Sequence, residues 1–160
     1  MLLKTKFFLY VFVVLSYGHV FSQVGIGTTT PLSTLDINGN LSVKTVTLTG
    51  NGMGNQPSGN NTSKIDDGVY ISVDPQVQDD TFELPDPSAY PGRVYFIRNV
   101  NQTNYVTAKI VTATGLLFSS GSTTNGASEI YLYEVNNGDK RKSVIVISDG
   151  ANWTYFFGLF

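Results

Sequence analysis

The stretch 143–157, SVIVISDGANWTYFF, decides how the rest of the chain is read. Ser143–Ser148 sets four β-branched apolar side chains in a row between two serines, a composition that suits a pleated surface. Asp149-Gly150 then marks a turn, and Trp153–Phe157 resumes with aromatic residues. Two apolar runs joined by a Gly-bearing turn read as a hairpin, with Trp153 entering the core of a β-domain.

Working outward, the same grammar repeats upstream. Short β-rich runs at 68–73, 81–84, 93–100, 105–112, 116–119 and 129–135 precede the hairpin. Between them lie Pro85-Asp86-Pro87, the 121–126 stretch, Asn136-Asn137-Gly138 and other Gly/Asn/Pro breaks. No amphipathic segment is long enough to read as a helix. Short strands at this spacing predict an all-β domain over 65–160, an antiparallel sandwich, jelly roll or β-prism-like fold. Residues 40–49, NLSVKTVTLT, read as one more strand, and 50–64, beginning GNGMGNQPSGNNTS, as a Gly/Asn/Ser linker with little to bury.

The N-terminal residues 1–22 have the order of a secretory signal: Lys4 and Lys6, an apolar run at 7–15, then Val20-Phe21-Ser22 before Gln23. The run is too short to span a bilayer, so the expectation is cleavage after Ser22, membrane contact only during export, and a secreted or cell-surface location. Beyond Ser22 the chain holds eight Lys and Arg against twelve Asp and Glu, a net charge of −4, with no His and no Cys. An acidic chain whose one basic run, Lys140-Arg141-Lys142, reads as a charged turn between two strands is a poor match for a phosphate backbone, so nucleic acid is not expected as a partner. Without Cys there is no disulfide, so stability must come from burial or self-association.

Residues 24–40 carry a resemblance. GIGTTTP at 25–31 followed by LDING at 35–39 closely resembles the "GIGTTxP…LDVxG" segment of exported Bacteroidetes proteins and of phage tail-fibre and related trimeric fibre stalks. In those proteins the segment is structural, a role that would fall here on Gly25, Gly27, Pro31, Leu35 and Gly39. Fibre proteins usually repeat it, whereas here it occurs once. Read from its residues, it is a strand, a helical turn opened by Thr30 and Pro31, and a reversal at Asn38-Gly39, with Ile26, Leu32, Leu35 and Ile37 as apolar points. So few apolar side chains need a partner surface. Three further phrases, FELP (82–85), PGRVYFIRN (91–99) and SDGANW (148–153), are similar to a compact β-domain near the ends of phage fibre and bacterial surface proteins. The resemblance implies a fibre-like segment at 23–49, self-association as a homotrimer, and loops offered to a glycan or surface protein.

Catalysis has little to draw on. Ser–His, Cys–His and the usual zinc ligand sets are absent from the exported part. Asp66, Asp67, Asp79 and Asp80 belong to the main acidic cluster, a weak calcium candidate whose competing reading is solvated loop charge. No cofactor is expected, and the chain is not read as an enzyme. Tyr131 with Tyr133, and Trp153 with Tyr155, share strand faces by alternation and are candidate glycan-stacking residues; the competing reading is core packing. Two alternatives to the adhesion module stand: a monomeric carbohydrate-binding module, and a small outer-membrane β-barrel suggested by the terminal Phe160.

Overall fold

The expected hairpin forms as read: Ser143–Ser148 and Trp153–Phe157 are antiparallel strands, with Ser148 opposite Trp153 and Val144 opposite Phe157. Its turn is fastened by Asp149, whose Oδ1 accepts from the N–H groups of Ala151 (2.8 Å) and Asn152 (2.7 Å). Gly150 sits there at φ 92°, a conformation that costs glycine least. A computed structural model describes residues 24–26, 29, 35–103, 105–134 and 141–158, and the chain divides into two units, 1–42 and 43–160.

In the first unit, β1 (Val24–Ile26) pairs in parallel with β2 (Leu35–Ile37), placing Gly25 opposite Asp36. The Asn38 N–H donates to the Ile26 carbonyl at 2.9 Å, and Gly39 follows in a bend. Leu35, expected on a helical turn, is the first residue of β2. That turn at Thr30, Pro31 and Leu32 lies outside the described residues, as do Gly27 and residues 1–22 with their expected cleavage point. Val24, Ile26, Leu35 and Leu41 are each more than half exposed.

The second unit is all-β, as expected. Among the described residues its strands are β3 (Thr45–Thr49), β4 (Ser63–Lys64), β5 (Tyr70–Asp74), β6 (Asp80–Leu84), β7 (Val94–Asn99), β8 (Ala108–Thr112), β9 (Leu117–Ser119), β10 (Gly126–Ala127), β11 (Glu129–Leu132), β12 (Ser143–Ser148) and β13 (Trp153–Phe157), with a 3-10 turn at Pro87–Ala89. They form a seven-stranded sheet in the order β10-β9-β13-β12-β7-β5-β3 and a four-stranded sheet in the order β11-β8-β6-β4. Ile71, Val73, Tyr95, Ile97, Val144, Val146 and Trp153 from the first meet Phe82, Leu84, Ile110, Ile130 and Leu132 from the second in one core.

Three details differ from the sequence reading. The pairing is mixed rather than purely antiparallel. From β3 to β8 the chain alternates between the sheets, so two crossings restore its direction and β3–β5, β5–β7, β4–β6 and β6–β8 are all parallel. Turn residues such as Asp79 (φ 57°) carry the chain across the sandwich instead of folding it back beside itself. Next, Thr45–Thr49 does not belong with the fibre-like segment, because it pairs with Tyr70–Asp74 as an edge of the large sheet.

The third difference concerns 50–64, which is a strap rather than a free linker. The N–H groups of Gly52, Gln56 and Gly59 donate to Asp80 Oδ2 (3.0 Å), Thr81 Oγ1 (3.0 Å) and Glu83 Oε2 (2.6 Å). Thr62 Oγ1 and Lys64 Nζ also reach Glu83. With the strap over its outer side, β6 is buried at all positions, and β8 likewise. Gly50 approaches so closely that a Cβ would overlap the Asp80 carboxylate. As for the barrel alternative, the described strands reach at most six residues and both sheets end in open edges, not the closed ring of longer strands that a membrane barrel needs.

Candidate functional site

The outer face of the large sheet is built by strict alternation. In β7, Tyr95, Ile97 and Asn99 point into the core, so Val94, Phe96 and Arg98 point out. In β12, Val144, Val146 and Ser148 are buried, leaving Ser143, Ile145 and Ile147 outside. Registry then lines these up: Phe156 opposite Ile145, Ile145 opposite Phe96, Phe96 opposite Tyr70, and Tyr70 opposite Thr45. The result is a continuous apolar row across four strands on the solvent side. Phe96 is 40% exposed and Phe156 41%.

The neighbouring row is polar and mostly small: Ser143 opposite Arg98, Arg98 opposite Ser72, and Ser72 opposite Thr47. Hydroxyls beside aromatic rings leave a groove of about 560 Å³, lined by Tyr70, Phe96, Arg98, Lys142, Ser143 and Ile145. That is within the size range of small-ligand sites. Arg98 is exposed and pairs with no carboxylate among the described residues. The outward acid of the adjacent strand, Asp74, is engaged elsewhere, accepting from Asn101 Nδ2 (2.9 Å) and Gln76 Nε2 (3.3 Å).

The candidate glycan-stacking residues do not converge. Trp153 is fully buried, donates from Nε1 to the Pro85 carbonyl at 3.3 Å, and packs with Tyr95 at a centroid distance of 5.7 Å. Tyr155 lies on the core side of the same strand against Phe157 (5.2 Å, edge-on). Packing, not ligand contact, accounts for both. Tyr131 is in the other sheet; its hydroxyl donates to Glu129 Oε1 at 2.7 Å, and its phenol is pushed up to about 12, by burial first and by Glu129 second. Tyr133 lies beneath the Arg141 guanidinium, 4.8 Å from its ring centroid.

Three of the four candidate acids are used by the fold. Asp67 pairs with Lys44 and accepts from the Gly68 N–H, which together hold its carboxyl below the ordinary value. Asp79 accepts from Thr107, and Asp80 Oδ2 from the N–H groups of Gly52 and Gln76. Asp66 is exposed. Among the described residues no three His, Cys, Asp or Glu converge as metal ligands, so the calcium candidate finds no cage there. Burial pushes Glu83 up, but Lys64, the Gly59 N–H and Thr62 outweigh it and keep the carboxyl below its usual value.

No family model matches the chain, and no curated protein or solved structure matches it either.

The residues that do converge, Tyr70, Phe96, Arg98, Ile145 and Phe156, are ones the sequence does not single out. The available signal is that 94–98 and 143–147 carry large apolar side chains at both odd and even positions. Such runs read as strands covered on both faces. Here one of the two faces is open.

Proposed function

We propose that the protein is an exported, non-enzymatic surface module that associates through its N-terminal unit and recognises a glycan or surface protein through the outer face of its large sheet. The observation that carries this reading is the outward row Phe156, Ile145, Phe96 and Tyr70, exposed at Phe156 and Phe96 and half-buried at Ile145 and Tyr70, beside a groove holding Arg98. A solvated sheet face normally turns polar side chains to water, and covering a large apolar side chain is worth about 1.5–3 kcal/mol. A row of them left open therefore favours a partner. Recognition is thus assigned to a sheet face rather than to loops.

Self-association is supported separately. A two-stranded ribbon with Val24, Ile26 and Leu35 exposed, followed by exposed Leu41, is too small to be stable in water by itself. The fibre-type resemblance at 25–39 makes a homotrimer the preferred stoichiometry. Export rests on the signal-like order of residues 1–22, and the non-enzymatic reading on the exported part lacking His and Cys and on the structural use of its acids.

Two measurements test this. Light scattering on the exported chain is expected to give a trimer that falls to monomer when residues 23–42 are removed; a monomeric intact chain at micromolar concentration overturns the assembly part and leaves a monomeric carbohydrate-binding module. On a broad glycan array, binding is expected to survive Tyr131→Ala and disappear with Phe96→Ala. The opposite pattern would refute the assignment of the face.

A further inference from the structure

We propose that the ligand of this face is an acidic glycan, a chain of uronate-type sugars whose carboxylate is taken by Arg98 while the ring lies on Phe96; the inference rests on the recognition role assigned above. The geometry divides the face into two parallel strips. One is apolar and aromatic, Phe156–Ile145–Phe96–Tyr70, and spans three strand spacings, roughly 14 Å, the length of a short oligosaccharide. The other carries Ser143, Arg98, Ser72 and Thr47, hydroxyls around a single guanidinium. Phe96 and Arg98 are two residues apart on one strand, so their side chains rise about 7 Å apart on the same face. A pyranose presents an apolar C–H face and, at its edge, hydroxyls and a carboxylate, which matches that pairing of strips.

Charge makes the choice within the glycans. The exported chain is net acidic, so a polyanion gains nothing from the overall field and must be held by a local cation. Arg98 is such a cation: exposed, without an ion-pair partner among the described residues, and able to grip a carboxylate with two parallel N–H donors. Lys142 lines the same groove. A neutral sugar would use the aromatic strip and leave the guanidinium idle. A nucleic acid would need many more phosphate contacts than this one guanidinium supplies.

The test is affinity electrophoresis and titration calorimetry of the exported chain with polygalacturonate, alginate and free galacturonate, against dextran and mannan as neutral polymers. The uronate polymers are expected to bind, more weakly as salt is raised, and the neutral ones not. Arg98→Gln should weaken binding about tenfold or more, the usual scale for losing a hydrogen bond to a charged group. Arg98→Lys should recover part of the loss, since the charge remains and the fork does not. Phe96→Ala should also weaken binding, while Tyr131→Ala in the other sheet should not. Arg98 is exposed, so Arg98→Gln should leave the melting curve unchanged, whereas Phe96→Ala, which removes a ring 40% exposed between Ile145 and Tyr70, should lower the melting temperature slightly without unfolding the chain. Neutral polymers bound through Phe96 with no effect of Arg98→Gln would overturn the acidic ligand and keep the recognition face. No binding to either class would overturn the glycan ligand and leave a surface protein as the partner of the face. Phe96→Ala that splits an oligomer instead of abolishing glycan binding would assign the face to a second copy and overturn the proposal.

Discussion

Replacing Glu83 by Ala tests whether 50–64 is a structural strap. The Glu83 side chain is 5% exposed and its Oε2 accepts from the Gly59 N–H at 2.6 Å and from Thr62 Oγ1 at 2.8 Å. Its other oxygen takes Lys64, whose own side chain is 51% exposed, so that ion pair is screened and adds little. Two hydrogen bonds to a buried charge are worth about 1.5–3 kcal/mol each. Gly59 is itself exposed, and Thr62 partly so; both can turn to water when the carboxylate is lost. The low end of the range applies, for a total of about 3 kcal/mol. For a unit spanning 43–160 the unfolding entropy is roughly 0.25 kcal/mol/K, so the melting temperature should fall by about 12 °C. Glu83→Gln, which keeps an acceptor oxygen, should lose about half of that. Circular dichroism melts give the global effect. Amide hydrogen exchange gives the local one: in the parent chain Gly52, Gln56 and Gly59 should be protected, and Glu83→Ala should release Gly59 first. If 50–64 were a free linker, those three amides would exchange at unprotected rates in the parent chain and Glu83→Ala would shift the melt by no more than a degree or so. Either result would refute the reasoning.

Three other outcomes follow from the same contacts. Trp153→Ala should cost about 3–5 kcal/mol in urea unfolding, as a large ring is removed from a closed core, and should act on stability rather than on a ligand. Glu83, Asp67 and Asp149 are all held below their ordinary values of 4.5, 3.8 and 3.8, so the stability they provide is fully present above those values and is lost as pH falls below them. The melting temperature should therefore fall below about pH 4.5, and less so in Glu83→Gln. At the alkaline end, Tyr131 is pushed from 10.0 to about 12, so its contribution is complete below pH 10 and is lost between pH 10 and 12; absorbance titration should show a phenol ionising near pH 12 that disappears in Tyr131→Phe.

What the sequence determined on its own was every element whose cause is local. Val144 to Ile147 are β-branched and stiff, Asp149-Gly150 closes a turn through the aspartate's own neighbours, and Trp153–Phe157 returns as a strand; all the information sits within fifteen residues. The all-β class followed from repeats of that grammar. What the sequence did not contain locally was where each strand goes next. Gly and Asn breaks look alike whether the chain folds back beside itself or crosses to the opposite sheet. The parallel pairings of β3, β5 and β7 were therefore decided by packing across the sandwich. Likewise, residues 50–64 have almost nothing to bury, and their order comes from Asp80, Thr81 and Glu83, more than twenty residues away.

The site divides along the same line. Aromatic residues were visible in number, but alternation cannot say which face of a strand is covered. Trp153 and Tyr155 turned toward the four-stranded sheet, and Phe96 and Phe156 were left on the open side. Only the cross-strand registry brings Phe156, Ile145, Phe96 and Tyr70 into one row beside Arg98. They come from four strands spread over more than eighty residues of chain, and adjacency of that kind is fixed by long-range pairing, not by any local pattern.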